Sequence, residues 1–148
     1  MEMKPSFEIR EMRPDDYRAL VELWELSRLK YHPDGRDSQD RINKELGTPM
    51  AVFLVAEGGG RLVGSLLGTT DGRKGWVNRL AVHPKWQREG VALALLGEME
   101  RRFDERGILV FCALIQDDNA VSKAFFERAG YEEDPTVVYY SKRKGREV

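Results

Sequence analysis

The chain is expected to fold as an α+β protein, with a mixed, mostly antiparallel sheet covered by helices on both faces. Three observations carry this expectation. Strand-like and helix-like segments follow one another in the order β-α-α-β-β-β-α-β-α-β. The strand segments alternate poorly between apolar and polar residues, as strands buried on both faces do. With 41% hydrophobic and 33% charged residues, the composition suits a soluble globular protein, and 148 residues can bury a proper core. One domain spanning residues 1–148 is expected, since no repeat, linker or low-complexity tract divides it.

Each element has a local cause. Phe7–Met12 reads as the first strand. Pro14-Asp15-Asp16 opens a helix with proline and acids in its first turn, where the helix dipole favours them. Leu20, Leu23, Trp24 and Ser27 then recur at helical spacing, so one face should pack on the sheet. The pattern breaks at Tyr31-His32-Pro33-Asp34-Gly35-Arg36, which is loop chemistry. Gln39–Leu46 is a second short helix, ended by Gly47 and Pro49. Ala51–Ala56 and Leu62–Leu67 form a hairpin around Gly58-Gly59-Gly60. No helix and no Gly-Lys-Ser/Thr follows those glycines, so they are a turn and not a phosphate cradle.

Asp71–Gly75 turns into the strand Trp76–Val82. A helix of about Val91–Glu105 follows, its apolar stripe made by Leu95, Leu96, Met99 and Phe103 and its end capped by Gly107. Ile108–Leu114 is the next strand. Asn119 caps a helix over Ala120–Arg128 that Gly130 terminates. A last strand is expected at Thr136–Ser141.

Charge and length exclude several classes. A net charge of −1 argues against an electrostatic nucleic-acid or membrane binder. The longest apolar run, Ile108–Ile115, is too short to span a bilayer. Met1–Pro5 lacks the apolar stretch of a secretory signal. The single Cys112 cannot form an internal disulfide and reads as a core thiol. A cytoplasmic protein is expected, with its oligomeric state open, a homodimer included.

The most informative stretch is Val82-His83-Pro84-Lys85-Trp86-Gln87-Arg88-Glu89-Gly90-Val91-Ala92. A strand ends, a short polar loop follows, and an amphipathic helix begins at once. The first backbone N–H groups of such a helix lack intrahelical partners and point outward. With the helix dipole added, they form an anion site suited to a pyrophosphate. Gly90 permits close approach of the backbone, Ala92 keeps the way clear, and Arg88 can add a charge-assisted contact.

Gln87-x-x-Gly90-x-Ala92 also resembles the acyl-CoA loop, Q/R-x-x-G-x-G/A, of the GNAT superfamily of N-acetyltransferases. The later segment from Asn119 through Phe126-Glu127-x-x-Gly130-Tyr131 resembles that family's N-x(6)-Y-E-x-x-G-F/Y. Both motifs stand in the right order within the strand pattern of the GNAT fold, over Phe7–Ser141. The chain is thereby identified as resembling the small single-domain prokaryotic members.

The resemblance implies acetyl transfer from acetyl-CoA to a primary amine, of a small molecule or a peptide, by direct attack in a ternary complex. It implies that Leu80, Ala81 and Val82 line the pantetheine as an added strand. The Val82 N–H would stabilise the oxyanion. Gln87, Arg88, Glu89, Gly90, Val91 and Ala92 would hold the pyrophosphate, and Asn119 and Phe126 would border the pantetheine arm. Asn119 equally serves as a helix cap.

One departure is plain: Phe126 occupies the position of the family's tyrosine, the usual acid for the departing thiolate, and phenylalanine has no proton to give. Tyr131, Tyr139 or water are the replacements, Tyr131 being equally a packing residue. No carboxylate stands on the strand before the loop, where Asn78 can hold a water, and His83 titrates in the right range but reads as a turn residue. For the acceptor, Trp24, Arg28 and Tyr31, with His32 and Arg36, are the candidates, against their reading as core and solvated loop. No metal is expected, because Tyr31-His32-Pro33-Asp34 lacks metal-ligand spacing. Two rivals remain: a catalytically degenerate acyl-CoA-binding sensor or assembly module, and a nucleotide-binding module that reuses the anion loop.

Overall fold

The computed structural model describes residues 6–148, and the reading of residues 1–5 as free of an apolar leader lies outside them. Strand β1 is Glu8–Glu11 and is followed by a 3-10 turn, Pro14–Asp16, leading into helix α1, Tyr17–Leu26. Helix α2 is Gln39–Leu46, capped by the Ser38 hydroxyl, which accepts the Arg41 N–H. Strands β2 (Ala51–Gly58), β3 (Arg61–Thr70) and β4 (Lys74–Val82) form a meander. After a 3-10 turn at Pro84–Trp86 come α3 (Val91–Glu105), β5 (Val110–Ala113) and α4 (Ala120–Arg128).

The five strands make one sheet in the order β1-β2-β3-β4-β5. All neighbours are antiparallel except β4 and β5, which run parallel. The central strands β2 and β3 are buried nearly end to end, because each face of the sheet is covered. One core layer packs Leu95, Leu96, Met99 and Phe103 of α3 and Phe126 of α4 on one face. The other packs Leu20, Leu23 and Trp24 of α1 and Ile42 of α2 on the opposite face. Gly64 lets α3 approach β3 closely: a Cβ there would sit 2.6 Å from Val91 Cγ1.

The central irregularity is a bulge in β4. Ser65 pairs with Ala81 but Leu67 pairs with Asn78, so the β4 chain carries one extra residue against β3. The bulge leaves Arg79 in left-handed backbone at φ 56°, a conformation costing a side-chain-bearing residue about 1–2 kcal/mol. Two anchors offset that cost. The buried Trp24 Nε1–H donates to Ser65 Oγ at 3.0 Å, and Ser65 Oγ donates to the Arg79 carbonyl at 2.8 Å. The Arg79 guanidinium grips the Asp37 carboxylate, with its shortest contact at 2.7 Å. Asp37 is only 5% exposed and also accepts the His32 N–H.

Three expectations are corrected. Thr136–Ser141 is not a strand: the chain after Gly130 is irregular, and Val137, Val138, Tyr139 and Tyr140 are 60% exposed or more. Its β-rich composition meets no strand partner, because β5 has only four residues and the tail opens with Glu132-Glu133-Asp134-Pro135 and an Asp134–Thr136 turn. Strand propensity without pairing does not make a strand. Cys112 is half-buried instead of core, since β5 is the sheet's edge. Trp24 is a fully buried core residue and cannot form an acceptor wall.

Ser65→Ala tests the anchor. It leaves the buried indole N–H without an acceptor, which costs about 1–3 kcal/mol. The urea midpoint is expected to fall accordingly at unchanged slope. An unchanged midpoint would mean that the Trp24–Ser65–Arg79 chain contributes nothing to holding the bulge.

Candidate active site

Parallel pairing of β4 and β5 brings the ends of both strands, and hence the starts of α3 and α4, to one end of the sheet. The pairing covers only Lys74–Val77 against Val110–Ala113. Beyond it the two strands part. The His83 N–H donates to the Val63 carbonyl, so His83–Val63 and, two residues back, Ala81–Ser65 are the hydrogen-bonded pairs of the antiparallel ladder. The peptide groups of Leu80 and Val82 therefore face away from β3, toward the gap that β5 has vacated. An extended chain laid there would find strand partners.

At the end of this gap stands the loop Gln87–Gly90. Trp86 fixes it by packing over Gly58, where a Cβ would lie 2.7 Å from the indole. Arg88 and Gly90 are left-handed, at φ 66° and 85°, a pattern found in backbone nests that bind anions. The Ala94 N–H is the first to close back onto the Gly90 carbonyl, so the amides of Val91, Ala92 and Leu93 form the open first turn of α3. A Cβ on Gly90 would meet nothing within 4 Å, so the space before this turn is free for a ligand. Asn119 caps α4 by accepting the Ser122 N–H at 3.0 Å, and its side chain is exposed at the same end.

On the α1/α2 face a cleft of about 550 Å³ opens beside the gap. Its floor is Ile42, Phe53 and Leu67, one wall is Trp76, Asn78 and Arg79, and the other is Leu114 to Asp117. The bulge explains the wall. Strict alternation would turn Asn78 and Arg79 to opposite faces, whereas the extra residue puts both on the cleft side. Arg36, Asp37 and Glu45 close the cleft from the helical side, and Tyr139 and Arg143 from the tail.

A gap lined by free strand peptide groups and a polar cleft meet at β4, and comparison with known proteins shows the family. The model of the acetyltransferase (GNAT) family matches residues 11–131. An acetyltransferase from Sodalis glossinidius is 33% identical over 136 residues, 92% of this chain and 94% of that protein. The chain belongs to the GNAT acetyltransferase family. Its fold is shared with an aminoglycoside N-acetyltransferase in complex with CoA (20% identity, 97% and 99% of the chains covered, TM-score 0.79). It is shared equally with the PaiA N-acetyltransferase of Thermoplasma acidophilum in complex with coenzyme A (22% identity, 89% and 93% covered, TM-score 0.79). This GNAT protein is thus an acetyl-CoA-dependent N-acetyltransferase.

Among residues expected from the sequence, Leu80, Val82 and the Gln87–Ala92 loop gather along the gap, while the Ala81 side chain is buried on the α1 face. Asn78 lines the cleft. Arg28 is exposed at φ 60° and Tyr31 donates to Glu25 at 2.9 Å while its ring packs at a tilt against Trp24; neither lines the cleft. Phe126 is buried, edge-on to Phe125 and Tyr131. The Tyr131 hydroxyl donates to Glu100 Oε2 at 2.7 Å, and burial, then that carboxylate, hold the phenol far above its ordinary range. His83 is buried and its Nδ1 accepts the Lys85 N–H, so it serves its own turn. Burial, then Arg61 and Lys85, push it below the ordinary imidazole value. Among the described residues no cluster of His, Cys, Asp or Glu could hold a metal ion. The sequence reading missed Asp37, Glu45 and Arg143, which only the fold brings to the cleft.

A graded test follows from the open space before Gly90. Gly90→Asn, which tolerates positive φ, is expected to keep a CoA-dependent rise in melting temperature, whereas Gly90→Glu loses it by setting a carboxylate against the pyrophosphate. An undiminished shift in the glutamate variant would place the phosphates elsewhere.

Proposed function

We propose that acetyl-CoA lies along the β4–β5 gap and that a primary amine attacks it from the cleft on the α1/α2 face. The observation that supports this most strongly is the orientation of the Leu80 and Val82 peptide groups toward the gap, next to the open first turn of α3. The pantetheine pairs with Leu80 and Val82 as an added strand. The pyrophosphate sits on the Gln87–Ala92 loop and the α3 N-terminus. The Asn119 amide, with its oxygen committed to the cap, offers its NH₂ group to the pantetheine carbonyls.

The acceptor nitrogen then approaches the thioester carbon from beside Asn78. As it bonds, negative charge gathers on the thioester oxygen, where the Val82 N–H is the donor; one such donor is worth about 10²–10³ in rate. Collapse expels the thiolate. Phe126 supplies no proton, and the Tyr131 hydroxyl is directed to Glu100. A thiol has a pKa of about 8.5, so the thiolate leaves with little assistance and needs no acid from the protein. Proximity and the oxyanion donor carry the rate. The acceptor is a small-molecule amine or a peptide amino group, read by a cleft that mixes carboxylates and guanidiniums. The lone Cys112 agrees with a cytoplasmic setting.

The test is release of free thiol from acetyl-CoA with a panel of primary amines, and a mass gain of one acetyl group on the amine. CoA binding without thiol release above background, from any amine of the panel, would contradict transfer to a primary amine. Phe126→Tyr discriminates within the enzyme reading. It is expected to leave turnover within about tenfold, since the thiolate needs no acid. A larger fall would show that the ring's packing against Phe125 and Tyr131 is what the site requires.

A further inference from the structure

Glu45 stands in the last turn of α2, where the negative end of the helix dipole disfavours a carboxylate. It is half-buried, and its side chain has no hydrogen bond or ion-pair partner among the described residues. Its backbone carbonyl accepts the Thr48 N–H and the Thr48 hydroxyl. It borders the cleft whose opposite wall carries Trp76, Asn78 and Arg79. An unpaired carboxylate in such a place is costly unless a cation arrives.

The resident cations do not serve. On its own helix, Arg41 lies one turn back without reaching ion-pair distance, and Lys44 is outside the cleft. Across the cleft, Arg79 is committed to Asp37, and Arg143 donates to the Val148 carbonyl. Arg36 and Asp117 are exposed at the mouth, and Asp71 faces Glu45 from the far side, on the β3–β4 turn. Burial first, and the Asp37 charge second, push the Glu45 carboxyl above its ordinary value, while Arg41 opposes them more weakly.

We propose that Glu45 binds the ammonium group of a primary-amine acceptor and accepts its proton, the role for which the strand before the CoA loop has no carboxylate. The inference rests on the acetyl-transfer reading. The proton passes from the ammonium to the Glu45 carboxylate, directly or across a water held by Asn78. The freed lone pair forms the N–C bond, and the C–S bond breaks. The nitrogen's second proton neutralises the departing thiolate, and Glu45 returns its own proton to solvent.

Glu45→Gln keeps the shape and removes the base. Three measurements decide. First, the folded carboxyl titrates above the unfolded one, so its charged form destabilises the native state above that pKa and has no effect below the unfolded value of about 4.3. The glutamine variant is therefore expected to be more stable than wild type at pH 8, with the difference gone by pH 4. A Glu45 carboxyl that titrates at the ordinary value by ¹³C NMR overturns the proposal without any acceptor. Second, with a primary amine that the enzyme acetylates, wild-type kcat/KM is flat between the Glu45 titration and the amine pKa. The carboxylate and ammonium forms are then both constant.

The glutamine variant is about 10²-fold slower at pH 7 and climbs tenfold per pH unit, because only free amine reacts. Equal rates with parallel profiles overturn Glu45 and leave acetyl transfer standing. Third, CoA raises the melting temperature of both proteins equally; a lost shift in the variant would show that Glu45 shapes the donor site and not the acceptor's. Wild-type protein that binds CoA but acetylates no primary amine overturns the acetyl-transfer reading itself, and the proposal with it.

Discussion

The bulge in β4 at Arg79 is the constraint on which both halves of the site depend. One extra residue against β3 shifts the alternation of side chains and peptide groups for the rest of the strand. Upstream, Trp76 and Asn78 point to the α2 face; downstream, Leu80 and Val82 pack on the α3 face and present their peptide groups to the gap. Without the bulge, Arg79 would turn into the α3 core and the peptide groups beyond it would exchange sides. The left-handed φ at Arg79 persists because Ser65 holds its carbonyl and Asp37 its guanidinium. The first anchor comes from β3 and α1, and the second from the loop before α2. The bulge therefore couples the acceptor side of the fold to the donor side.

That coupling explains where polar groups are spent. A tryptophan N–H and a serine hydroxyl, both buried, are satisfied by each other and by the bulge. Asp37 is buried, and its pair with Arg79 together with the His32 N–H satisfies it. Replacing such a pair with apolar residues is often neutral for stability, whereas losing one partner is not. Its value here is positional: it fixes where Arg79 and Asn78 stand. Glu45 lines the same cleft as this satisfied network, yet its side chain has no partner among the described residues, and an unmatched charge in a cleft is a mark of function.

Much of the proposed donor site is legible in the sequence, because it is local. The Gln87–Ala92 loop, its glycine and the helix after it are contiguous, and Asn119 and Gly130 punctuate α4 in plain view. The helix boundaries of α2, α3 and α4 follow from caps and glycines for the same reason. The cleft is not legible in this way beyond Asn78, since Asp37, Glu45 and Arg143 lie far from it in the chain and meet it only through the sheet. Trp24 looked like a binding aromatic because helical spacing does not say whether a stripe faces a cleft or a core. Thr136–Ser141 looked like a strand because side-chain type reports propensity, while a strand also needs a free edge to pair with.

The central claim is that the bulge turns the Leu80 and Val82 amides toward the gap, where acetyl-CoA adds as a strand leading to the α3 N-terminus. Titrating ¹⁵N-labelled protein with acetyl-CoA and following backbone amides tests it directly. The Leu80, Val82, Val91 and Ala92 amides are expected to move together, and the Val82 amide to gain protection from hydrogen exchange. Movement confined to the cleft residues on the α2 side, with Val82 and the α3 first turn unchanged, would contradict it.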